Sequence, residues 1–83
     1  MLPTYKEILP KFKVILKDQQ WHATHEIIAI LKQVFNLNEN QCNILCKCKR
    51  QKLFDNRVIY TRTLLIKYGE IEMNDKKEVR IKR

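Results

Sequence analysis

A mostly helical α+β fold, a winged helix-turn-helix, is predicted for this 83-residue chain by three observations. Apolar residues recur at helical spacing in two segments of the N-terminal half. The segment from Asp55 to Tyr68 has capping residues at its start, and Gly69, the single glycine, follows its end. Beyond it, Ile71-Glu72-Met73 and Val79-Arg80-Ile81 alternate apolar and polar side chains about the turn Asn74-Asp75-Lys76-Lys77. Three to four helices followed by one β-hairpin wing is the order of that fold. The length suits a single domain over 1–83.

Each element has its own signal. Ile8, Leu9, Phe12, Ile15 and Leu16 share one face of a first helix over about Tyr5 to Lys17, with Thr4 as its cap. Pro10 lacks a donor and crowds the carbonyl four residues back, so a short turn, a kink and then the main helix are expected. A second helix spans about Thr24 to Phe35, capped by Thr24, with Ile27, Ile28, Leu31, Val34 and Phe35 as its apolar stripe. Asn38 and Gln41 form a capping-box pattern for a short third helix holding Ile44 and Leu45 and fading near Lys47. The fourth helix is expected to start at Asp55 or Asn56. Its core arc is Val58, Thr61, Leu64, Leu65 and Tyr68, while Ile59 and Ile66 fall on the side that should be wet.

Composition removes several classes of function. No apolar run approaches the length of a membrane span, and the N-terminus lacks the apolar stretch of a secretory signal. A cytoplasmic location with reduced thiols is the expectation for three cysteines without framework spacing. Cys42, Cys46 and Cys48 lack the two-pair spacing of a zinc site, so one or two buried thiols acting as small hydrophobes are expected, with no metal and no cofactor. With no serine and one glycine there is no phosphate-cradling loop. His22, His25 and Glu26 stand at a helix start without a nucleophile, so no catalysis is expected.

Charge is concentrated rather than spread. Lys47, Lys49, Arg50, Lys52, Arg57, Arg62 and Lys67 are seven of the 17 basic residues, opposed in that stretch only by Asp55. The segments on either side are nearly balanced. A basic helix within an otherwise near-neutral domain is the electrostatic footprint of a nucleic-acid reader, because Lys and Arg replace the counterions on phosphates.

At this point the chain resembles the N-terminal domain of Mrr-type restriction endonucleases, a winged-helix module placed ahead of a nuclease domain. The likeness rests on Pro3-Thr4-Tyr5 with a proline at Pro10, on Phe54-x-Asn56-Arg57-Val58-x-Tyr60, and on Leu65-x-Lys67-x-Gly69-x-Ile71. The family usually has Trp at the Tyr60 position, and a Thr-Gly helix start after the wing that is not found before Arg83. The resemblance implies the fold and binding of double-stranded DNA. It implies no nuclease chemistry for these residues.

The expected interface follows. Asn56, Arg57, Tyr60, Arg62, Thr63 and Lys67 are candidate contacts of a recognition helix over 55–68 in the major groove, the arginines and lysine toward guanine edges or phosphates and Asn56 toward an adenine edge or a phosphate. Lys47, Lys49, Arg50 and Lys52 are candidate phosphate contacts, with Lys76 and Lys77 from the wing. Arg57 also has a structural alternative, bracing the helix start. The competing function is a protein-interaction winged helix, an adaptor, inhibitor or homodimer with an acidic partner, centred on Ile59 and Ile66. What surrounds those two isoleucines distinguishes the two.

Overall fold

The computed structural model describes residues 2–46 and 51–82. Helix α1 spans Tyr5–Ile15 and runs into a single 3-10 turn, Leu16–Asp18. Strand β1 is His22–Ala23, and α2 spans Thr24–Val34. The short α3 is Glu39–Cys42, and α4 spans Leu53–Lys67. Strands β2, Ile71–Met73, and β3, Glu78–Ile81, form the wing. The sheet is antiparallel in the order β1-β3-β2, with His22 opposite Val79 and Ile71 opposite Ile81. This is the α+β winged-helix arrangement anticipated, with one addition. β1 pairs the segment between α1 and α2 with the hairpin.

One apolar core joins the layers. Ile8 and Phe12 of α1, Leu16, Ile27 and Leu31 of α2, and Phe54, Val58 and Leu65 of α4 are fully buried, with Ile71 and Val79 closing it from the wing. Thr61 is also fully buried, and its hydroxyl donates to the Arg57 carbonyl at 2.9 Å. A hydroxyl bonded back to its own helix costs little in an apolar setting, which is why a threonine fits the inward face.

Several local expectations are corrected. α1 is one continuous helix through Pro10, not a turn followed by a helix. Pro10 and Lys6 are both exposed, so water can serve the carbonyl that Pro10 leaves without a donor, while Ile8 and Phe12 anchor the inner face. Thr4 is the N-cap by position, but its backbone carbonyl, not its hydroxyl, accepts from Glu7 and Ile8. Thr24 is the first residue of α2 rather than its cap, which is Ala23. Helix α3 stops at Cys42, leaving Ile44 and Leu45 outside it and exposed, although the Asn38–Gln41 capping box forms in full.

The fourth helix starts earlier than expected. Lys52 is its N-cap, and Leu53 and Phe54 are helical. Two interactions draw the start back. Leu53 N–H donates to the Ile44 carbonyl at 2.7 Å, and Phe54 packs edge-on against Phe35 with centroids 6.3 Å apart. Asp55 thereby falls in the first helical turn, where its charge suits the helix dipole, and faces Lys32 Nζ at 3.4 Å. Tyr68, expected on the core arc, is 65% exposed, because the helix ends at Lys67 and the chain turns away at Gly69, φ 74°. Cys42 and Cys46 are half-buried rather than buried. The predicted elements at Lys47, Cys48, Lys49 and Arg50 lie outside the described residues.

The turn into β1 carries a titrating group. His22, its side chain 12% exposed, places Nε2 2.9 Å from Asp18 and Nδ1 3.0 Å from Glu26. Burial opposes the charge on the ring, but the bonds to Asp18 and Glu26 outweigh it and raise the His22 pKa above 6.5. The Gln20 N–H, and then His22, hold the Asp18 carboxyl below its ordinary 3.8. Both ring nitrogens face carboxylates, so the doubly protonated imidazolium is the form the fold favours. A raised folded-state pKa stabilises fully below the unfolded value and is lost as pH climbs through the folded one. The melting temperature is therefore expected to fall as pH rises from 6.5 through the His22 pKa. His22→Gln removes that slope in melts recorded across the same range. An unchanged slope in the variant would remove His22 as its source.

Candidate nucleic-acid interface

The inward face of α4 determines its outward one. At about 100° per residue, Phe54, Val58, Thr61 and Leu65 cluster on one side of the helix, and all four are buried. Directly opposite, at spacings of four, three and four, stand Asn56, Tyr60, Thr63 and Lys67, all exposed. These four form a single stripe along α4. Ile59 and Ile66 border it on one side and are half-buried, with Ile66 packed against the core. The apolar pair that the sequence placed toward water is thus partly enclosed within the chain itself.

The arginines of α4 are engaged inward. Arg57 Nη1 donates to the carbonyls of Leu2, at 3.2 Å, and Pro3, at 2.9 Å. This fastens the N-terminal strand of chain to α4 and takes up the bracing role foreseen for that residue. Arg62 Nη1 donates to the Thr24 hydroxyl at 2.9 Å, joining α4 to the start of α2, and its Nε is buried without a partner. Neither guanidinium lies on the exposed stripe. Asn56 Nδ2 donates to Gln51 Oε1 at 2.8 Å, and Tyr60, 50% exposed, meets Tyr5 of α1 edge-to-face at 5.4 Å. The Thr63 hydroxyl donates to the Ile59 carbonyl at 3.0 Å.

The remaining candidates flank this stripe. Lys52 is exposed at the start of α4, and Lys67 at its end. Lys76 and Lys77 are exposed at the wing tip. That tip is pinned by Asn74, whose Oδ1 accepts from the N–H groups of Lys76 at 2.9 Å and Glu78 at 3.0 Å, while Lys77 takes the left-handed φ of 66°. Arg80 is not available in the same way. It pairs with Glu72 at 2.6 Å and lies 4.4 Å over the Trp21 ring. Lys47, Lys49 and Arg50 lie outside the described residues.

Sequence reasoning missed two contributors. Gln51, which holds the Asn56 amide, carries no signal of its own in the sequence. Tyr5 was used as part of a motif, but its contact with Tyr60 needs the crossing of α1 and α4. Elsewhere, a cavity of about 270 Å³ between the end of α1 and the wing is lined by Lys13, Lys17, Glu70, Ile71 and Ile81, with Lys13 paired to Glu70 across it. Among the described residues no group of His, Cys, Asp and Glu could hold a metal ion, and no helix is long and apolar enough to cross a membrane.

The division between bracing and exposed residues is measurable. Arg57→Ala and Arg62→Ala each remove a charge-assisted bond that joins two segments, so each is expected to cost about 1–3 kcal/mol in urea unfolding. Lys67→Ala, on the exposed stripe, is expected to stay within about 0.5 kcal/mol of the parent. Equal stability of all three variants would contradict the bracing role.

The family model described as the Mrr N-terminal domain matches residues 5–82. No curated protein and no solved structure matches the chain.

Proposed function

Because the chain belongs to the Mrr N-terminal domain family, we propose that it is a module that binds double-stranded DNA, with α4 seated in the major groove. The observation that carries this proposal is the exposed stripe Asn56, Tyr60, Thr63 and Lys67 on the outer side of a helix whose inner side is buried. An α-helix fits the width of the major groove, and a winged helix offers one that is held rigidly by the core behind it. In this proposal the module works by binding and does no chemistry of its own.

Affinity and reading fall to different residues. Lys52 and Lys67 stand at opposite ends of α4, and by the rise of a helix they lie about 22 Å apart along its axis. That exceeds the roughly 12 Å width of the groove, so they reach the phosphates along its walls. Lys76 and Lys77 at the pinned wing tip add contacts to the adjacent backbone. Lys47, Lys49 and Arg50 belong to the same basic stretch of sequence and add to its positive charge. Arg57 and Arg62 support the helix instead of touching DNA.

Phosphate-dominated binding has a definite salt signature. Each neutralised phosphate contributes about 0.9 to the slope of log affinity against log salt. With roughly four to six contacts, affinity for a random duplex is expected to drop about a hundredfold or more between about 50 and 200 mM salt. Replacing Lys52, Lys76 and Lys77 together by Ala should lower the slope by about two to three. A fluorescence-anisotropy titration against a duplex and a single strand of the same sequence measures both. Absence of duplex binding at low salt would overturn the proposal and assign the basic surface to an acidic protein or to a second copy of the chain.

A further inference from the structure

We infer that the middle of α4 reads adenine–thymine pairs in the major groove; this rests on the DNA-binding proposal above. Guanine is read most often by Arg or Lys donating in pairs to O6 and N7. On α4 both arginines are committed inward, Arg57 to the Leu2 and Pro3 carbonyls and Arg62 to Thr24. Lys52 and Lys67 stand at its two ends, about 22 Å apart, so the middle of α4, from Asn56 to Thr63, presents no outward cation.

The side chains between them suit the other base pair. Asn56 gives one amide N–H to Gln51 and keeps a second N–H and the carbonyl oxygen. One donor beside one acceptor is the complement of adenine N7 and N6–H, and the bond to Gln51 fixes the amide before DNA arrives. One turn on, Tyr60 is half-exposed, with its ring steadied edge-to-face by Tyr5. Thr63 commits its hydroxyl proton to the Ile59 carbonyl, which leaves its methyl as the apolar part it offers the groove. A tyrosine ring and a threonine methyl side by side form an apolar surface, and the apolar feature of the major groove is the C5-methyl of thymine. From Asn56 to Thr63 the helix rises about 10 Å, roughly three base-pair steps, so the footprint is short.

The experiment is a competition for the intact chain among duplexes with a randomised centre, followed by base analogues in the sequence that is retained best. Enrichment of adjacent A·T pairs at the centre is expected. Replacing the contacted thymine by uracil removes only the methyl and should weaken binding about threefold to fivefold. Replacing the contacted adenine by 7-deazaadenine should weaken it about tenfold. Asn56→Ala, confirmed as folded by its melt, should lose the preference for adenine. Salt-dependent binding with no enrichment, with enrichment of G·C pairs, or without response to the analogues would overturn this inference and leave the DNA-binding proposal standing. Failure to retain any duplex at low salt would overturn both.

Discussion

The seating of α4 in the core is the constraint on which the rest of the molecule depends. Phe54, Val58, Thr61 and Leu65 occupy one side of that helix and are wholly enclosed by α1, α2 and the wing. Helical geometry leaves no freedom once that side is fixed. The residues opposite, Asn56, Tyr60, Thr63 and Lys67, must face outward. Rotation about the helix axis is further resisted from both flanks, by Arg57 gripping the carbonyls of Leu2 and Pro3 and by Arg62 gripping Thr24. A helix held at its back and on both sides presents its front in one orientation, which is what recognition of another surface requires.

That arrangement changes what the basic character of the chain means. The concentration of charge in the sequence is real, but two of its arginines spend their hydrogen bonds inside the domain. Their positive charge still contributes to the field around the fold, while the Nη1 donors of both are spent on segments of the chain itself. The cations at the ends of α4 and on the wing are the exposed ones among the described residues considered for the interface. Under the proposed function, attraction to the backbone and discrimination among bases thus belong to separate groups of side chains. The first is diffuse and sensitive to salt; the second depends on a few neutral groups held in place.

The sequence made the architecture legible because its signals were local. The stripes of α1 and α2, the Asn38–Gln41 capping box, Gly69 and the alternation of the hairpin each depend on residues a few positions apart. What it hid depended on distant contacts. β1 is only two residues long and exists because β3 pairs with it from the far end of the chain. The start of α4 moved to Leu53 because Ile44 and Phe35 hold it there, overriding the capping preference of Asp55 and Asn56. At the candidate site, the outward positions of Tyr60, Thr63 and Lys67 followed from periodicity alone. The inward turn of Arg62 could not, since it is set by Thr24, 38 residues away. Arg57 lay between the two cases, with a bracing role that was readable as an alternative.

The central claim is that the outer stripe of α4 is the face that meets duplex DNA. Amide chemical-shift mapping of the labelled chain, titrated with a short A·T-containing duplex at low salt, tests it residue by residue. The account predicts that the largest changes fall at Asn56, Tyr60, Thr63 and Lys67, with a second group at Lys76 and Lys77. Changes concentrated instead around Lys13, Lys17 and Ile81, on the cavity between α1 and the wing, would contradict it.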